Sequence, residues 1–170
     1  KNDLSLKLLL DEVYLGEKHY INNLKGNLYL KKNDITNANI SAEFSKNKKF
    51  RLTINSTQNE KVTTLFLDKA EPIVRRYKFI KGYEGGALDY YSSKKGKETN
   101  STLKIYNFKL KELPALTKLL TLASLQGIAD ILSGEGIRFD EFEMNFRNKG
   151  NLMTIDEIYA IGPAISVLMS

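Results

Sequence analysis

The chain's strongest constraint is an alternation of apolar and polar side chains that returns again and again from one end to the other. Leu4, Leu6, Leu8 and Leu10 alternate, and Leu24, Leu28 and Leu30 follow after a break at Gly26. Ile35, Ala38, Ile40, Ala42 and Phe44 form a third run; Phe50, Leu52 and Ile54 a fourth; Val62, Leu65 and Leu67 a fifth. Period two sends alternate side chains to opposite faces of an extended chain. Polar, turn-forming clusters at 31–34, 46–49 and 57–60 separate the runs. A spacing of roughly a dozen residues with such short breaks predicts a one-sided antiparallel meander, apolar on one face and wetted on the other. The phase slips at Leu9 and Val13, and again at Phe66.

The second half continues the pattern with interruptions. Residues 70–77 (AEPIVRRY) are predicted as a short helix, with Pro72 in its first turn and Asp68 as a cap. Gly82, Gly85 and Gly86 loosen the chain before a strand at 87–92, and residues 93–101 are a charged hairpin loop. Leu103, Ile105 and residues 108–110 make the next strand. Ile137 and Phe139 then point one way and Phe142, Met144 and Phe146 the other, which implies a bulge at Asp140 and Glu141. A turn at 148–151, a strand at 152–160, a kink at Gly162-Pro163 and a strand at 164–169 complete the pattern.

Residues 113–136 break it. Pro114 suits a first helical turn and the Ser133-Gly134-Glu135-Gly136 run suits a stop. An apolar stripe through Leu116, Leu119, Leu120 and Ala123 gives way after Gly127 to Ile128, Ile131 and Leu132 almost half a turn away. Two short helices, or one bent near Gly127, are expected at 115–132. Lys118, Gln126 and Asp130 make the segment too polar to span a bilayer. It either packs on the sheet of its own domain or forms a lid over a groove.

So many strands can close as a barrel, pack as a sandwich or remain an open curved sheet. In each case the apolar face must be covered, since a fully buried Leu, Ile or Phe contributes about 1.5–3 kcal/mol. A few helices cannot cover it flat, so either the sheet curls over itself or apolar surface is left for a ligand. The expected fold is mainly β: a curved antiparallel meander forming an open β-groove or partial barrel, with the 115–132 helical segment at the apolar face or one end. The 170 residues are expected to be a single domain, a piece of a longer chain, because the first residue is Lys1 and both ends are strand-like.

Catalytic chemistry finds no foothold in the residue types. Cysteine is absent and His19 is the only histidine, which rules out zinc clusters and histidine-based nucleophile systems. Asp140, Glu141 and Glu143 crowd one strand, but they alternate with Phe139, Phe142 and Met144 as the solvated side of an amphipathic strand does. Gly82-x-x-Gly85-Gly86 lacks the Lys-Ser/Thr of a phosphate-binding loop, and Arg75-Arg76 reads as a solvated helix surface. The +6 formal charge comes from scattered lysines, not from the clustered arginines and aromatics of a nucleic-acid binder; weak attraction to an anionic membrane surface is easier to accept. No enzyme activity, metal or cofactor is expected.

The C-terminal half carries more specific patterns. These are G-G-x-L at 85–88, F-x-L-x-x-x-P-x-L at 108–116, L-A-S-L-x-G-I at 122–128, L-S-G-E-G-I-x-F-D at 132–140, G-x-L-x-I at 150–155 with one extra residue, and A-x-G-P-A at 160–164. Together they make residues 80–170 resemble the AsmA-like C-terminal region of the large Gram-negative envelope proteins grouped with AsmA, TamB and YhdP. Residues 1–79 share only the strand meander. The resemblance implies a sheet wrapped into a hydrophobic groove in the periplasm, with the parent protein anchored in the inner membrane outside this segment. It implies a role in moving phospholipid, or another acyl-chain lipid, toward the outer membrane. Residues expected to line the groove are Leu103, Ile105, Phe139, Phe142, Met144 and Phe146, with Leu152 and Ile155 on the following strand. Leu119 and Leu120 are expected to join them from the helical segment. The alternative is an assembly module of the envelope whose apolar interior is filled by its own chain.

Overall fold

A computed structural model of the chain describes residues 3–16, 19–45, 47–78, 80–112, 136–163 and 165–170. Ten strands follow in order: β1 (Leu4–Gly16), β2 (His19–Lys31), β3 (Asp34–Glu43), β4 (Lys49–Ser56), β5 (Lys61–Leu67), β6 (Tyr83–Lys95), β7 (Glu98–Leu110), β8 (Ile137–Lys149), β9 (Leu152–Gly162) and β10 (Ile165–Met169). One short helix, α1 (Glu71–Arg76), separates β5 from β6. Each strand pairs antiparallel with the next, so the sheet order is the chain order from β1 to β10. The sheet is mainly β, open, and not closed into a barrel. The helical segment expected at 115–132, with Leu119 and Leu120, lies outside the described residues.

This up-and-down path sorts the connections. The turns β2–β3, β4–β5, β6–β7 and β8–β9 share one rim of the sheet, and α1 lies at the other. The sheet is strongly curved. α1 follows β5 and packs on β6, yet it also reaches β1. In a flat sheet β1 would stand about 19 Å from β5, at about 4.8 Å per strand. Only a sheet curled around α1 brings both within reach.

Two apolar clusters meet at this helix. Val74 and the preceding Ala70 pack with Tyr83, Phe108, Leu110, Ile137 and Phe139. Ile73 packs on the other side with Ile21, Ala42, Phe44 and Leu67. Tyr83, Phe108 and Phe139 stack in series, their ring centroids 5.5 and 5.0 Å apart. Pro72 stands in the first turn of α1 as its sequence suggests. Asp68 does not cap it. Ala70 holds the N-cap position without a side-chain bond, and the Asp68 carboxylate instead accepts the backbone N–H of Lys49 at 2.8 Å, bracing the start of β4.

The phase change in β8 is real but has a different form from the local bulge read in the sequence. Ile137 and Phe139 give way to Phe142, Met144 and Phe146 on the apolar face, while the pairing with β7 runs without a shift from Leu110↔Ile137 to Glu98↔Lys149. Register survives because β7 changes phase opposite it, between Ile105 and Phe108, at Asn107 (φ 51°). β6 does the same at Gly85 and Gly86 (φ 73° and 78°). Asn and Gly are the residues that accept such a left-handed backbone at low cost. A crease thus crosses three strands together. The register shift of β8 lies further on, at Asn145/Phe146 against β9, where Asp156 and Glu157 supply the extra residue. The charged loop read at 93–101 is also shorter than expected: Ser92↔Ser101, Ser93↔Asn100 and Lys94↔Thr99 are ladder pairs, leaving Gly96 and Lys97 as the turn. Polar side chains on both faces hide strand there from a hydrophobic pattern.

Candidate functional site

Cross-strand pairing joins the alternating runs into continuous apolar rows. The middle row passes from Leu8 through Gly26, Ile40, Leu52, Leu65, Tyr90, Leu103, Met144 and Ile158 to Met169, crossing all ten strands. Toward α1, a second row passes from Ala42 through Phe50, Leu67, Leu88, Ile105, Phe142 and Ala160 to Val167. Toward the hairpin rim a third begins at Leu6, Leu28, Ala38 and Ile54, turns polar at Thr63, Ser92 and Ser101, and ends at Phe146 and Ile155. Nine interstrand steps make the middle row about 43 Å long along the curve, against the roughly 15 Å depth of one bilayer leaflet. Since α1 packs on this face, it is the inside of the curl: an apolar trough.

Gly26 belongs to the middle row for a steric reason. A Cβ there would overlap the Asn39 carbonyl oxygen of the neighbouring strand. In the polar patch of the third row, Ser101 Oγ hydrogen-bonds with Tyr90 Oη at 3.2 Å. At the α1 rim the Tyr83 hydroxyl is buried with no hydrogen-bond partner among the described residues, and burial pushes its pKa up.

The residues nominated from sequence divide into groups. Leu103, Ile105, Phe142, Met144 and Phe146 fall in the three rows, and Ile155 joins them at the hairpin rim, opposite Phe146. Phe139 lies beyond the crease, fully buried in the cluster under α1. Leu152 pairs with Lys149 at the tip of the β8–β9 hairpin, on the opposite parity from Ile155, and so marks the edge of the trough rather than its wall. Leu119 and Leu120 lie outside the described residues. Missed in that selection were Leu28, Ile40, Leu52 and Leu65, which make the N-terminal half of the same wall. Their signal was the period-two alternation itself.

The other face of the sheet is polar and ionic. Lys104 Nζ meets Glu143 at 2.9 Å, Asn145 receives a hydrogen bond from Thr102 at 2.7 Å and donates to Glu143 and Glu157, and Arg147 grips Asp156. The bond from Lys104 holds the Glu143 carboxyl below its usual range, and the same pairing raises the lysine. Sugar-cleaving carboxylate pairs need one acid whose pKa is raised. Glu143 is shifted the opposite way, and Asp140 is an exposed carboxylate 3.9 Å from Arg138. Between Phe66, Tyr91, Thr102 and Lys104 lies a shallow depression of about 350 Å³, in which burial raises the Asp89 carboxyl. Among the described residues no cluster of His, Asp or Glu suits a metal ion, and no helix is long and apolar enough to cross a membrane.

No protein-family model, curated protein or solved structure matches this chain.

Proposed function

We propose that this chain is a lipid-binding conduit segment whose trough receives the acyl chains of a phospholipid or similar lipid. One observation carries the reading: three cross-strand rows of Leu, Ile, Phe and Met form one apolar face, and among the described residues α1 packs on it at one rim. Leu6 at 38 %, Leu10 at 47 % and Ile155 at 44 % remain exposed on that face. Apolar surface left in water is unfavourable by about 25 cal/mol per Å², and an acyl chain relieves this without needing a directional partner. The resemblance of residues 80–170 to the AsmA-like region supports a periplasmic setting, with the parent protein anchored in the inner membrane and lipid passing toward the outer one. The chemistry of binding then needs no catalytic group, and none of the carboxylates described above faces the trough.

Native mass spectrometry after gentle extraction tests this directly. Bound species with phospholipid masses are expected, displaced by added fatty acid. Protein that stays empty with every lipid offered contradicts the reading. The completely buried Leu67, Ile137 and Phe139 favour a second one, an assembly module whose trough is filled by its own chain. Under that reading the protein is empty of lipid and equally stable without it.

A further inference from the structure

The four turns at the hairpin rim carry a surplus of lysine beside bare apolar side chains, and we propose that this rim docks on the surface of an anionic bilayer. The inference rests on the lipid-conduit reading and adds where lipid would enter or leave. Lys31, Lys32, Lys94, Lys97 and Lys149 are all exposed there and make no ion pair among the described residues. The same rim also holds Lys61, Lys95 and Arg147, but these are paired with Asp34, Glu60 and Asp156. The α1 rim pairs Arg75 and Lys111 with Glu84, Arg75 with Glu71 and Arg138 with Asp140. It too holds exposed cations without an ion pair among the described residues, Lys48, Arg76, Lys78 and Lys81, so charge by itself does not set the hairpin rim apart.

Charge alone would leave a solvated edge. The β8–β9 hairpin adds Leu152 at 68 % and Met153 at 53 % exposed, directly across from Lys149 and Asn148. A tip with two large apolar side chains flanked by lysine is the arrangement that enters the headgroup region of a bilayer: apolar groups sink among the acyl chains while cations stay with the phosphates. Tyr29, 47 % exposed beside the β2–β3 turn of the same rim, is suited to the same interfacial depth. Ile155 and Phe146 then lead from the rim straight into the third apolar row. An acyl chain leaving the bilayer there would pass from one apolar medium to another.

The test is vesicle flotation of the intact chain, with phosphatidylcholine vesicles and with vesicles in which a third of that lipid is replaced by phosphatidylglycerol. The chain should float with the anionic vesicles and not with the neutral ones. L152S/M153S and K97E/K149E should each weaken partitioning at least about tenfold, since each lysine near such a surface is worth about 1 kcal/mol and a tenfold change is about 1.4 kcal/mol. R76E/K78E at the α1 rim should leave it unchanged, and circular dichroism should show the same strand signal in all three. Equal flotation on neutral vesicles, unchanged binding by both hairpin-rim variants, or loss of binding by R76E/K78E would each overturn the proposal. Native mass spectrometry separates the two ideas: lipid retained by L152S/M153S with docking lost supports docking as a distinct step. A wild type that docks but never holds lipid keeps the membrane surface and removes the conduit.

Discussion

Leu67, Ile137 and Phe139 at the α1 rim are fully buried, whereas Leu4 and Ile155 at the hairpin rim are 49 % and 44 % exposed, although all five belong to one apolar face. Residue type and strand parity are the same at the two rims; the cover differs. α1 inserts Ile73 and Val74 between two clusters at one rim; toward the other, Ala38, Ile54 and Phe146 are still buried, and the exposure falls on Leu4 and Leu6 of the edge strand and on Ile155 beside the β8–β9 turn. Stability is therefore concentrated at the α1 rim, and the surface proposed to bind lipid extends from the rows between toward the hairpin rim. On the proposed reading, core and ligand surface share one sheet face and are separated only by position along its strands.

Four substitutions put that division at risk, in descending order of effect. Phe139→Ala removes the last ring of the Tyr83–Phe108–Phe139 stack and should cost about 3–5 kcal/mol in urea denaturation followed by circular dichroism. A loss comparable to that of an exposed residue would erase the distinction between rims. Gly86→Ala should cost about 2–4 kcal/mol, because φ is 78° and the added Cβ would press on the Tyr83 hydroxyl and the Phe108 side chain. Glu143→Gln, on the polar face away from both rims, should cost no more than about 1 kcal/mol.

The same pair fixes a pH dependence. Glu143 is lowered in the folded state, so its contribution is present above the usual carboxylate range and is lost as pH falls through its depressed value. Lys104 is raised, so its contribution is lost only as pH rises through its elevated value. A stability-versus-pH curve for Glu143→Gln should accordingly be flatter than wild type at both extremes and parallel to it near neutrality. The smallest effect on folding belongs to Ile155→Ser, within about 0.5 kcal/mol of wild type, yet this change should reduce lipid loading in native mass spectra. A large loss of stability with unchanged loading would invert the comparison.

Much of the architecture was legible because period two is a local property. Leu6, Leu28, Ala38 and Ile54 announce their strands and their common face within a few residues of sequence, and Pro72 announces α1. What the chain does not spell out is how strands compensate one another. The step from Phe139 to Phe142 reads as a bulge in one strand, whereas Gly86 and Asn107 make the same step beside it and preserve register. Such coordination is tertiary and leaves no trace in any single strand. The position of Leu152 was missed for a related reason. Its parity depends on the extra residue that Asp156 and Glu157 place in β9, where two charged neighbours look like ordinary surface. Asp68 was misplaced as a helix cap because a carboxylate near a helix start has an equally good partner in the Lys49 amide, supplied by a strand far away in sequence.

Site-specific photo-crosslinking measures the central claim most directly. A photoreactive side chain placed at Leu103 or Met144 in the middle row, and at Phe66 or Tyr91 on the opposite face, reports which surface meets lipid in membrane-derived extracts. Lipid adducts at the two trough positions and none at the two outer ones are predicted. Adducts on the outer face alone, or on neither, would contradict a trough that holds acyl chains.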